Sequence, residues 1–581
     1  MKQINEIPIS NFTKIHEINS DTKTTKNTQT IEINGTPNST VTDTQINNKG
    51  AIQSVATKQQ KAEKELTTKQ NKSTEATQIN PTQQANQTTD TPTPKTTTAQ
   101  INAKLWDACN TFRGLMDGSD YKDYILTMLF IKYLSDTYTE KITELKAKSC
   151  GIDSVYKALL NQLDFKLEAH STFAYLQEHK NATNLGELIN TALSSLETLN
   201  KEKLEGIFTH IDFNNPSKLG DTQQRNTTLK QLINDFSSLD LRPSRLENKD
   251  IIGDAYEYLI AKFASDSGKK GGEFYTPSMV SVLLAELVGI KDGEEIYDPT
   301  CGSGSLLLKA SQKGTNNFIY GQEKNAQTYA LCVMNMFLHN IPNPKIKWGD
   351  TLTNPLHLDA NGDLRRFSKI VANPPFSLDK WGYEELKEDR FSRFNYGMPP
   401  KSKGDYAFLL HMIKSLKNCG TLGVVMPHGV LFRGSSEGKI RASLIKQGYL
   451  KAIIGLPSNL FYGTSIPACI MIFSKEQNEK VIFIDASSCY EKGKNQNTLK
   501  DIDKILNAYH GNTDINGFCK VVSLDEIEQN DFNLNIPRYV VAEDETLQID
   551  YAELKEQINS LNAKLELSNT KLQGYLKELG L

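Results

Sequence analysis

The sequence predicts an α/β protein in which a mostly parallel, doubly wound sheet follows a helical domain and precedes a C-terminal helix. Strand and helix signals alternate from about Asp250 to Lys475, which is typical of a doubly wound sheet. Apolar residues recur at helical spacing from Ile101 to about Leu246, and the last residues carry apolar side chains seven positions apart. These patterns predict helices before and after the sheet along the chain.

Composition divides the chain into five segments. Residues 1–100 are rich in Thr, Asn, Gln, Lys and Ser and are predicted to be a disordered polar tail, because they offer too little apolar surface to offset the entropy of ordering. The prediction continues with an N-terminal helical domain over 101–246, a catalytic sheet domain over 247–475 and an irregular region over 476–545. A C-terminal helix is predicted over 546–581.

Length, charge and cysteine content limit the classes of protein. The 581 residues suit roughly three or four domains of about 100 to 200 residues. The net charge of −3 gives no overall attraction to nucleic acid, so such a role must depend on a local patch or a partner. Eight cysteines without a CxxC pair and the absence of a signal-like N-terminus predict a cytoplasmic protein. The most apolar stretch, Tyr449 to Phe473, is broken by Gly and Pro, so no membrane segment is expected.

The first candidate site is a glycine-rich loop, EEIYDPTCGSGSLLLKA, at residues 294–310. A predicted strand ends at Asp298, the loop contains Gly302 and Gly304, and a helix is predicted to begin near Ser305. Such a turn lets a ligand approach backbone N–H groups. The loop lacks the third glycine of GxGxxG and the GK[ST] of a phosphate loop, which argues against a dinucleotide or a triphosphate.

Acidic residues also follow the next two predicted strands. Glu323 ends FIYGQE about 20 residues beyond the loop, where a carboxylate can accept hydrogen bonds from ribose hydroxyls. Asp350 ends IKWGD and can accept from an adenine amine. Any one of these acids has an alternative role as a helix N-cap or a solvated turn residue. Acids at three successive strand ends, including Asp298, favour a nucleoside-type ligand.

A second motif, GEFYTP, occupies Gly272 to Pro277. Thr276 and Pro277 suit the N-cap and first turn of a helix. Its predicted apolar face contains Val280, Leu283, Leu284 and Leu287. Phe274 and Tyr275 follow the basic, glycine-rich GKKGG and are placed to close over a bound cofactor.

The third motif is VANPPF, which follows the predicted strand KIVA. An adenine amine is a poor nucleophile, because its lone pair is delocalised into the ring, and it needs acceptors that pull its N–H groups out of the ring plane. The side-chain oxygen of Asn373 and the backbone carbonyl of Pro374 are two such acceptors. Pro375 stiffens the turn, and Phe376 offers a ring on which an extruded base can stack. The alternative is a proline-terminated strand with a core phenylalanine.

The order GEFYTP, DPTCGSGSLL, GQE, GDTL and NPPF resembles that of the S-adenosylmethionine-dependent N6-adenine DNA methyltransferases. More narrowly, it resembles the modification subunits of type I restriction–modification systems. The resemblance covers about residues 102–581 and includes MPHGVLFRG and FNLNIPRYV. It implies a Rossmann-like S-adenosylmethionine-dependent methyltransferase sheet for the catalytic domain.

The resemblance also implies a role for each matching residue. Glu323 would bind the ribose of S-adenosyl-L-methionine, and Asp350 would bind its adenine. The other cofactor-binding residues would be Gly272, Glu273, Phe274, Tyr275, Thr276, Pro277, Asp298, Gly302, Ser303 and Gly304. The catalytic residues would be Asn373, Pro374, Pro375 and Phe376. Asp405 and Phe408 match a further segment near the same pocket.

The partners implied are double-stranded DNA, a DNA specificity subunit, a restriction subunit and a second copy of the chain. No zinc-ligand pattern occurs in the sequence, so no metal is expected. The chain contains no obvious module for reading bases, which favours a separate specificity subunit.

Two other functions compete with this interpretation. A protein-glutamine or RNA methyltransferase would use similar acceptors for a planar amine. A catalytically idle assembly subunit would be indicated by loss of Asn373, Gly302 or Glu323, all of which are present. The C-terminal helix, with Ile558, Leu565 and Leu572 seven apart, either docks a partner or folds back on its own domain.

Overall fold

The computed structural model describes residues 95–116, 118–163, 165–248, 250–266, 275–462, 464–494, 496–541 and 551–578. These residues belong to one compact unit, Pro92–Leu581. Most of the predicted disordered tail, residues 1–94, lies outside the described residues.

Helices form the first part of the described chain, as the apolar spacing predicts. The first helix is capped by Thr97, whose side chain accepts from the Gln100 N–H while the Gln100 side chain accepts from the Thr97 N–H, a reciprocal capping box. The second helix is the longest of this region, at 31 residues. The helices are α1 (Thr98–Phe112), α2 (Gly118–Lys148), α3 (Asp153–Leu160), α4 (Phe173–Glu178), α5 (Leu185–Leu199), α6 (Lys201–Leu204), α7 (Pro216–Leu219), α8 (Thr222–Ser237) and α9 (Ile251–Asp266).

A nine-stranded sheet follows, in the order β11-β8-β6-β7-β5-β4-β1-β2-β3. Its strands are β1 (Glu295–Asp298), β2 (Phe318–Glu323), β3 (Lys345–Trp348), β4 (Phe367–Ala372), β5 (Leu416–Pro427), β6 (Leu450–Gly455), β7 (Ala468–Ser474), β8 (Lys480–Asp485) and β11 (Cys519–Ser523). The pairs β3–β2, β2–β1, β1–β4, β4–β5 and β6–β8 are parallel. Strand β7 runs antiparallel to both β5 and β6, and β11 runs antiparallel to β8. A separate ribbon pairs β9 (Tyr490–Glu491) with β10 (Thr498–Leu499).

Both faces of the sheet are buried. In β4, Val371 belongs to one hydrophobic core, whereas its neighbours Ile370 and Ala372 belong to a second, because successive side chains of a strand point to opposite faces. The first core also contains residues of the helical region, including Phe130 of α2. The N-terminal helices therefore share a core with one face of the sheet.

Further helices connect and cover the strands. They are α10 (Ser278–Val288), α11 (Ser305–Ser311), α12 (Ala326–Leu338), α13 (Asp405–Lys414), α14 (Ser435–Lys446), α15 (Ile502–Gly511) and α16 (Leu524–Gln529). Short 3₁₀ turns occur at Ala169–Ser171, Pro243–Arg245, His428–Leu431 and Ile536–Arg538. The parallel strands with helices on both faces confirm the predicted α/β class with its doubly wound sheet.

Two local predictions differ from the structure. The region 476–545 was expected to be irregular, yet β8 and β11 extend the main sheet, because the short β-branched runs VIFI and VV complete its edge. Thr276 was expected to cap α10, but the residue before that helix is Pro277 and no side-chain cap is present. The Thr276 hydroxyl instead accepts from the Asn373 side chain at 3.0 Å.

The final helix, α17 (Tyr551–Glu578), confirms the predicted C-terminal helix. From residue 554 to 578 its side chains are exposed, apart from the half-buried Leu576. Within the described residues, we find no helix that combines the length and apolarity needed to cross a membrane.

Candidate active site

The glycine-rich loop joins β1 to α11 at the carboxyl end of the central strands. Gly302 and Gly304 have φ angles of +55° and +82°, a conformation that glycine adopts without a steric penalty. A Cβ at position 304 would lie 2.6 Å from Met336 Cε and 2.8 Å from Cys332 Sγ. Glycine is therefore required at 304 both for its backbone angle and for its close approach to α12.

Asp298 ends β1 just before this loop and is buried, with 1 % of its surface exposed. Its Oδ1 accepts from the Thr300 N–H at 2.9 Å, and within the described part of the chain no cationic side chain pairs with it. Burial, helped by the nearby Glu323 carboxylate and opposed by the hydrogen bonds from Thr300, raises the pKa of the Asp298 carboxyl to about 8. A buried acid without a counter-ion favours a cationic ligand.

Glu323 ends β2 and tethers the loop. Its two carboxylate oxygens accept from the Gly302 N–H at 3.1 Å and from the Asn325 N–H at 2.8 Å. Burial raises the pKa of this carboxyl, although the backbone hydrogen bonds oppose the effect. Glu323 is thus held beside the glycine loop, on the neighbouring strand to Asp298.

Asp350 lies beyond the next strand, although β3 ends at Trp348, two residues earlier than the sequence predicted. Its Oδ1 accepts from the Leu352 N–H at 2.9 Å, and its Oδ2 pairs with Lys324 at 2.8 Å. The turn-capping alternative therefore accounts for one carboxylate oxygen. Among the described residues, the other oxygen is paired only to Lys324, whose side chain is 68 % exposed.

Asn373 follows β4 and faces the same loop. Its Nδ2 donates to Thr276 Oγ1 at 3.0 Å, which fixes the orientation of the amide. Its Oδ1 is buried and has no hydrogen-bond partner among the described residues. Because buried acceptors are nearly always paired in folded proteins, an unpaired oxygen at this point indicates a place for a donor from a ligand.

The rest of the NPPF turn surrounds Asn373. Pro374 is buried, Pro375 is exposed, and the Phe376 ring packs edge-on against Phe461 with centroids 5.7 Å apart. Ser377 has a positive φ of +51°, and its N–H donates to Asp405 Oδ1 at 2.7 Å. Asp405 is in turn held by Arg433, which donates to its Oδ2 at 2.6 Å. These hydrogen bonds connect the NPPF turn to Asp405 and Arg433 and hold it in place.

A single small cavity brings the motifs together. Of the predicted residues, Tyr275, Thr276, Asp298, Gly302, Ser303 and Asn373 line it. Glu323 and Asp350 lie beside the loop but do not line this cavity. Gly272, Glu273 and Phe274 lie outside the described residues.

Several residues of the site escaped the sequence analysis. Ser305 and Leu306, which begin α11, also line the cavity, next to Thr300 and Cys301 of the predicted loop. Asn335 in α12 donates from its side chain to the Ser303 carbonyl at 3.0 Å and is fully buried. The available signal was a lone amide within the apolar run ALCVMNMFL.

The carboxyl ends of β1 and β4 thus carry a glycine loop and an NPPF turn whose Asn373 lines the same cavity, and the β2 acid Glu323 holds the glycine loop from the neighbouring strand. A glycine loop after the first strand of a doubly wound sheet is the arrangement of the S-adenosylmethionine-dependent methyltransferase fold. Comparison with known families places the chain more narrowly. Residues 247–547 match the N-6 DNA Methylase family, and residues 101–236 match the HsdM N-terminal domain. The chain belongs to the N-6 DNA methylase family, as a modification subunit of the type I restriction–modification kind.

Individual relatives agree with this assignment. The chain is 32 % identical over 523 residues to the type I restriction enzyme MpnII methylase subunit of Mycoplasma pneumoniae, covering 82 % of this chain and 96 % of the relative. It is 35 % identical over 485 residues to the MjaVIII methylase subunit of Methanocaldococcus jannaschii, covering 79 % and 82 %. The crystal structure of a type I methyltransferase subunit from Streptococcus thermophilus superposes with a TM-score of 0.68 at 36 % identity, covering 77 % of this chain and all of that one.

The family assignment confirms the predicted activity. The protein is an adenine-specific DNA methyltransferase that modifies the N6 amine. Membership of this family implies the use of S-adenosylmethionine and assembly with other subunits of a restriction–modification system.

Proposed function

We propose that S-adenosyl-L-methionine binds with its amino-acid part in the cavity beside Asp298 and with its nucleoside part towards Glu323 and Asp350, in agreement with the charges around them. The buried Asp298 carboxylate would bind the cationic amino-acid part, and the backbone of Gly302, Ser303 and Gly304 would pack against the cofactor. Glu323 would accept from the ribose hydroxyls, and Asp350 would accept from the adenine amine once Lys324 moves aside. The cofactor supplies a methyl group on a positively charged sulfur, which is the group transferred.

The residues before α10 complete this proposed site. Tyr275 and Thr276 line the cavity, and Pro277 begins the connection into the helix. Gly272, Glu273 and Phe274, which precede them in the sequence, are also proposed to bind the cofactor.

We propose that Asn373 and Pro374 hold the target amine. The observation that carries this proposal is the buried, unpaired Asn373 Oδ1 beside an Nδ2 already fixed by Thr276. The oxygen and the Pro374 carbonyl would accept the two N–H groups of adenine N6, which draws its lone pair out of the ring and towards the methyl donor. Phe376 would stack on the base taken out of the duplex, and Pro375 would keep the turn rigid.

In this scheme the methyl group passes directly from the cofactor to adenine N6, without a covalent enzyme intermediate. The protein would contribute position and hydrogen-bond acceptors rather than a reactive side chain. The proton released from the amine after transfer would leave through water, since Asn373 is not titratable.

We further propose that a separate DNA specificity subunit selects the target in double-stranded DNA, and that the complex also holds a restriction subunit and a second copy of this chain in the cytoplasm. The α17 helix is the proposed docking element for a partner. Leu561 is 63 % exposed and Leu565 is 60 % exposed, and both belong to the apolar stripe of Leu554, Ile558, Leu561, Leu565 and Leu572. Such a stripe suits packing against another helix.

The experiment is transfer of radiolabelled methyl from S-adenosylmethionine to unmethylated DNA, with and without the specificity subunit. The Asn373→Ala variant is compared with Asn361→Ala, which changes an exposed asparagine in a distant loop. We expect label in N6-methyladenine only when the specificity subunit is present. We also expect Asn373→Ala to abolish transfer while binding the cofactor within a few-fold of wild type.

Other outcomes distinguish the alternatives. Label on protein or RNA would favour a different substrate class. Cofactor binding without transfer to any substrate would favour an idle assembly subunit. Full activity of Asn373→Ala would overturn the proposed role of this residue.

A further inference from the structure

A cluster of three metal-binding side chains lies outside the active-site cavity. Asp254 and Glu257 are three positions apart on α9, so their side chains leave the same face of the helix. His339 follows the last residue of α12. One ligand atom from each of these residues lies within 4.8 Å of the others.

The His339 ring has the burial and the hydrogen bonding that are typical of a metal-binding histidine. Its side chain is only 8 % exposed, and its Nδ1 lies 3.0 Å from the Asn335 carbonyl. With a proton on Nδ1 donated to that carbonyl, Nε2 carries a lone pair, and Nε2 is buried with no hydrogen-bond partner among the described residues. Metal-bound histidines characteristically donate their other N–H to a carbonyl or carboxylate.

The helix carrying the two acids is shaped around this ring. A Cβ at Gly253 would lie 2.6 Å from His339 Nε2, so any larger residue would push the imidazole away. Glycine within a helix is unfavourable compared with alanine, and here it allows the Nε2 edge to reach the helix beside Asp254 and Glu257.

The charges of the cluster also favour a cation. Lys309 donates to Glu257 Oε2 at 2.8 Å, which orients that carboxylate while using one of its two oxygens. Asp254 is exposed, so an ion could enter from solvent, and a rotation of its side chain would close the ligand set. One imidazole with two carboxylates suits zinc and similar first-row divalent ions better than magnesium, which prefers oxygen ligands.

We propose that Asp254, Glu257 and His339 form a divalent-cation site, selective for zinc-like ions, that joins α9 to the end of α12. Water would complete the coordination. The bound ion would clamp the helix that precedes the GEFYTP segment onto the helix that supports the glycine loop through Asn335.

The test uses the full chain, freed of metal with a chelator and then titrated with Co²⁺ as a spectroscopic probe. Binding is followed by visible absorption, which separates nitrogen and oxygen ligation from thiolate ligation at the exposed Cys150 and Cys419. The variants are Asp254→Asn and His339→Gln. Asp250→Asn is the matched control, because Asp250 is an exposed acid one turn before Asp254. Glu257 is left intact because its replacement would break the Lys309 ion pair.

We expect one Co²⁺ per chain without a thiolate charge-transfer band, displaced by Zn²⁺ and accompanied by a higher melting temperature. Asp254→Asn and His339→Gln should each weaken binding at least tenfold, and Asp250→Asn should not. Asp254 is exposed, so its variant should fold even if His339→Gln does not. Absence of binding by wild type, thiolate ligation, or unchanged affinity in Asp254→Asn would each refute the site.

Discussion

Asn373 shows how one residue depends on a segment nearly 100 positions away. Its amide could adopt either of two orientations related by a flip, and only one of them presents Oδ1 to the cavity. In the structure the Thr276 hydroxyl accepts from Nδ2, and this hydrogen bond holds the amide in the orientation that presents Oδ1 to the cavity. Thr276 is therefore a positioning residue for the acceptor, in addition to lining the cavity.

Replacing Thr276 by valine should slow methyl transfer without unfolding the protein. Valine keeps the shape but cannot accept from Asn373, and a lost hydrogen bond of about 0.5–1.5 kcal/mol corresponds to roughly a 2- to 13-fold fall in kcat. Thr276→Ser retains the hydroxyl and should recover most of the rate. Single-turnover methylation assays would measure both, and equal loss in the two variants would contradict the positioning role.

Asp298 should make the free energy of unfolding of the protein depend on pH. Its pKa is about 8 in the folded chain but about 3.9 for an unperturbed aspartate. Between these values the folded state retains a proton that the unfolded state has released, so the Asp298 contribution to the free energy of unfolding falls as pH rises from about 4 to 8. The contribution is unchanged above the folded pKa.

Asp298→Asn should remove this slope. We expect the variant to gain at least about 1.4 kcal/mol relative to wild type at pH 8, the free energy of one pKa unit, and to gain little near pH 4. Urea unfolding at both pH values measures the difference. Asp363→Asn, which changes an exposed aspartate, should show no such gain, and an equal effect of Asp298→Asn at both pH values would contradict the argument.

At the scale of elements, the loop between β1 and α11 combines two demands on one glycine. Gly304 has a positive φ, and side-chain atoms of α12 lie within 3 Å of the place that a Cβ would occupy. Gly293, in the turn before β1, has a φ of +73° but open space around it. A comparison of the two positions therefore separates the free-energy cost of a side chain in a left-handed backbone from the cost of crowding against neighbouring atoms.

We therefore expect Gly304→Ala to be more destabilising than Gly293→Ala. The left-handed backbone should cost about 1–2 kcal/mol in both, and crowding against Cys332 and Met336 should add about 1–3 kcal/mol at position 304 alone. Denaturant unfolding of both variants gives the comparison. Equal losses of stability would mean that α12 adjusts freely to the added methyl group.

The elements also show where sequence patterns mislead. Thr-Pro before an apolar helix is a good capping signal, yet the Thr276 side chain is engaged by Asn373 and no side-chain cap forms. The competing partner comes from a distant strand, so local sequence could not reveal it. By contrast, β1, β2 and β4 end at Asp298, Glu323 and Ala372, as their apolar runs predicted.

At the scale of the whole molecule, α17 differs from the other long helices. The side chains of α2 between Tyr121 and Ser135 are buried throughout, whereas those of α17 from Leu554 onwards are almost all exposed. An exposed apolar stripe on a helix of 28 residues gains stability only by packing against something else.

The paired change Leu561→Asp and Leu565→Asp should abolish co-purification with the specificity subunit. The charges would be buried in the proposed helical interface at a large cost, while the melting temperature of the chain alone should stay within a few degrees of wild type. Ala563→Asp with Thr570→Asp, on the opposite face of α17, is the matched control and should retain the complex. Loss of the complex in the control, or its survival in the leucine variant, would argue against this docking face.

The sequence by itself determined the α/β class, the strand ends at Asp298 and Glu323, and the motifs that identify the family. It could do so because apolar periodicity and turn residues are local properties. Only the tertiary structure decided that β8 and β11 extend the sheet, that Thr276 orients Asn373, that Asn335 supports the glycine loop, and that His339 faces Asp254 and Glu257. Those relations join residues far apart in the chain, and the packing of helices against the sheet brings them within contact distance.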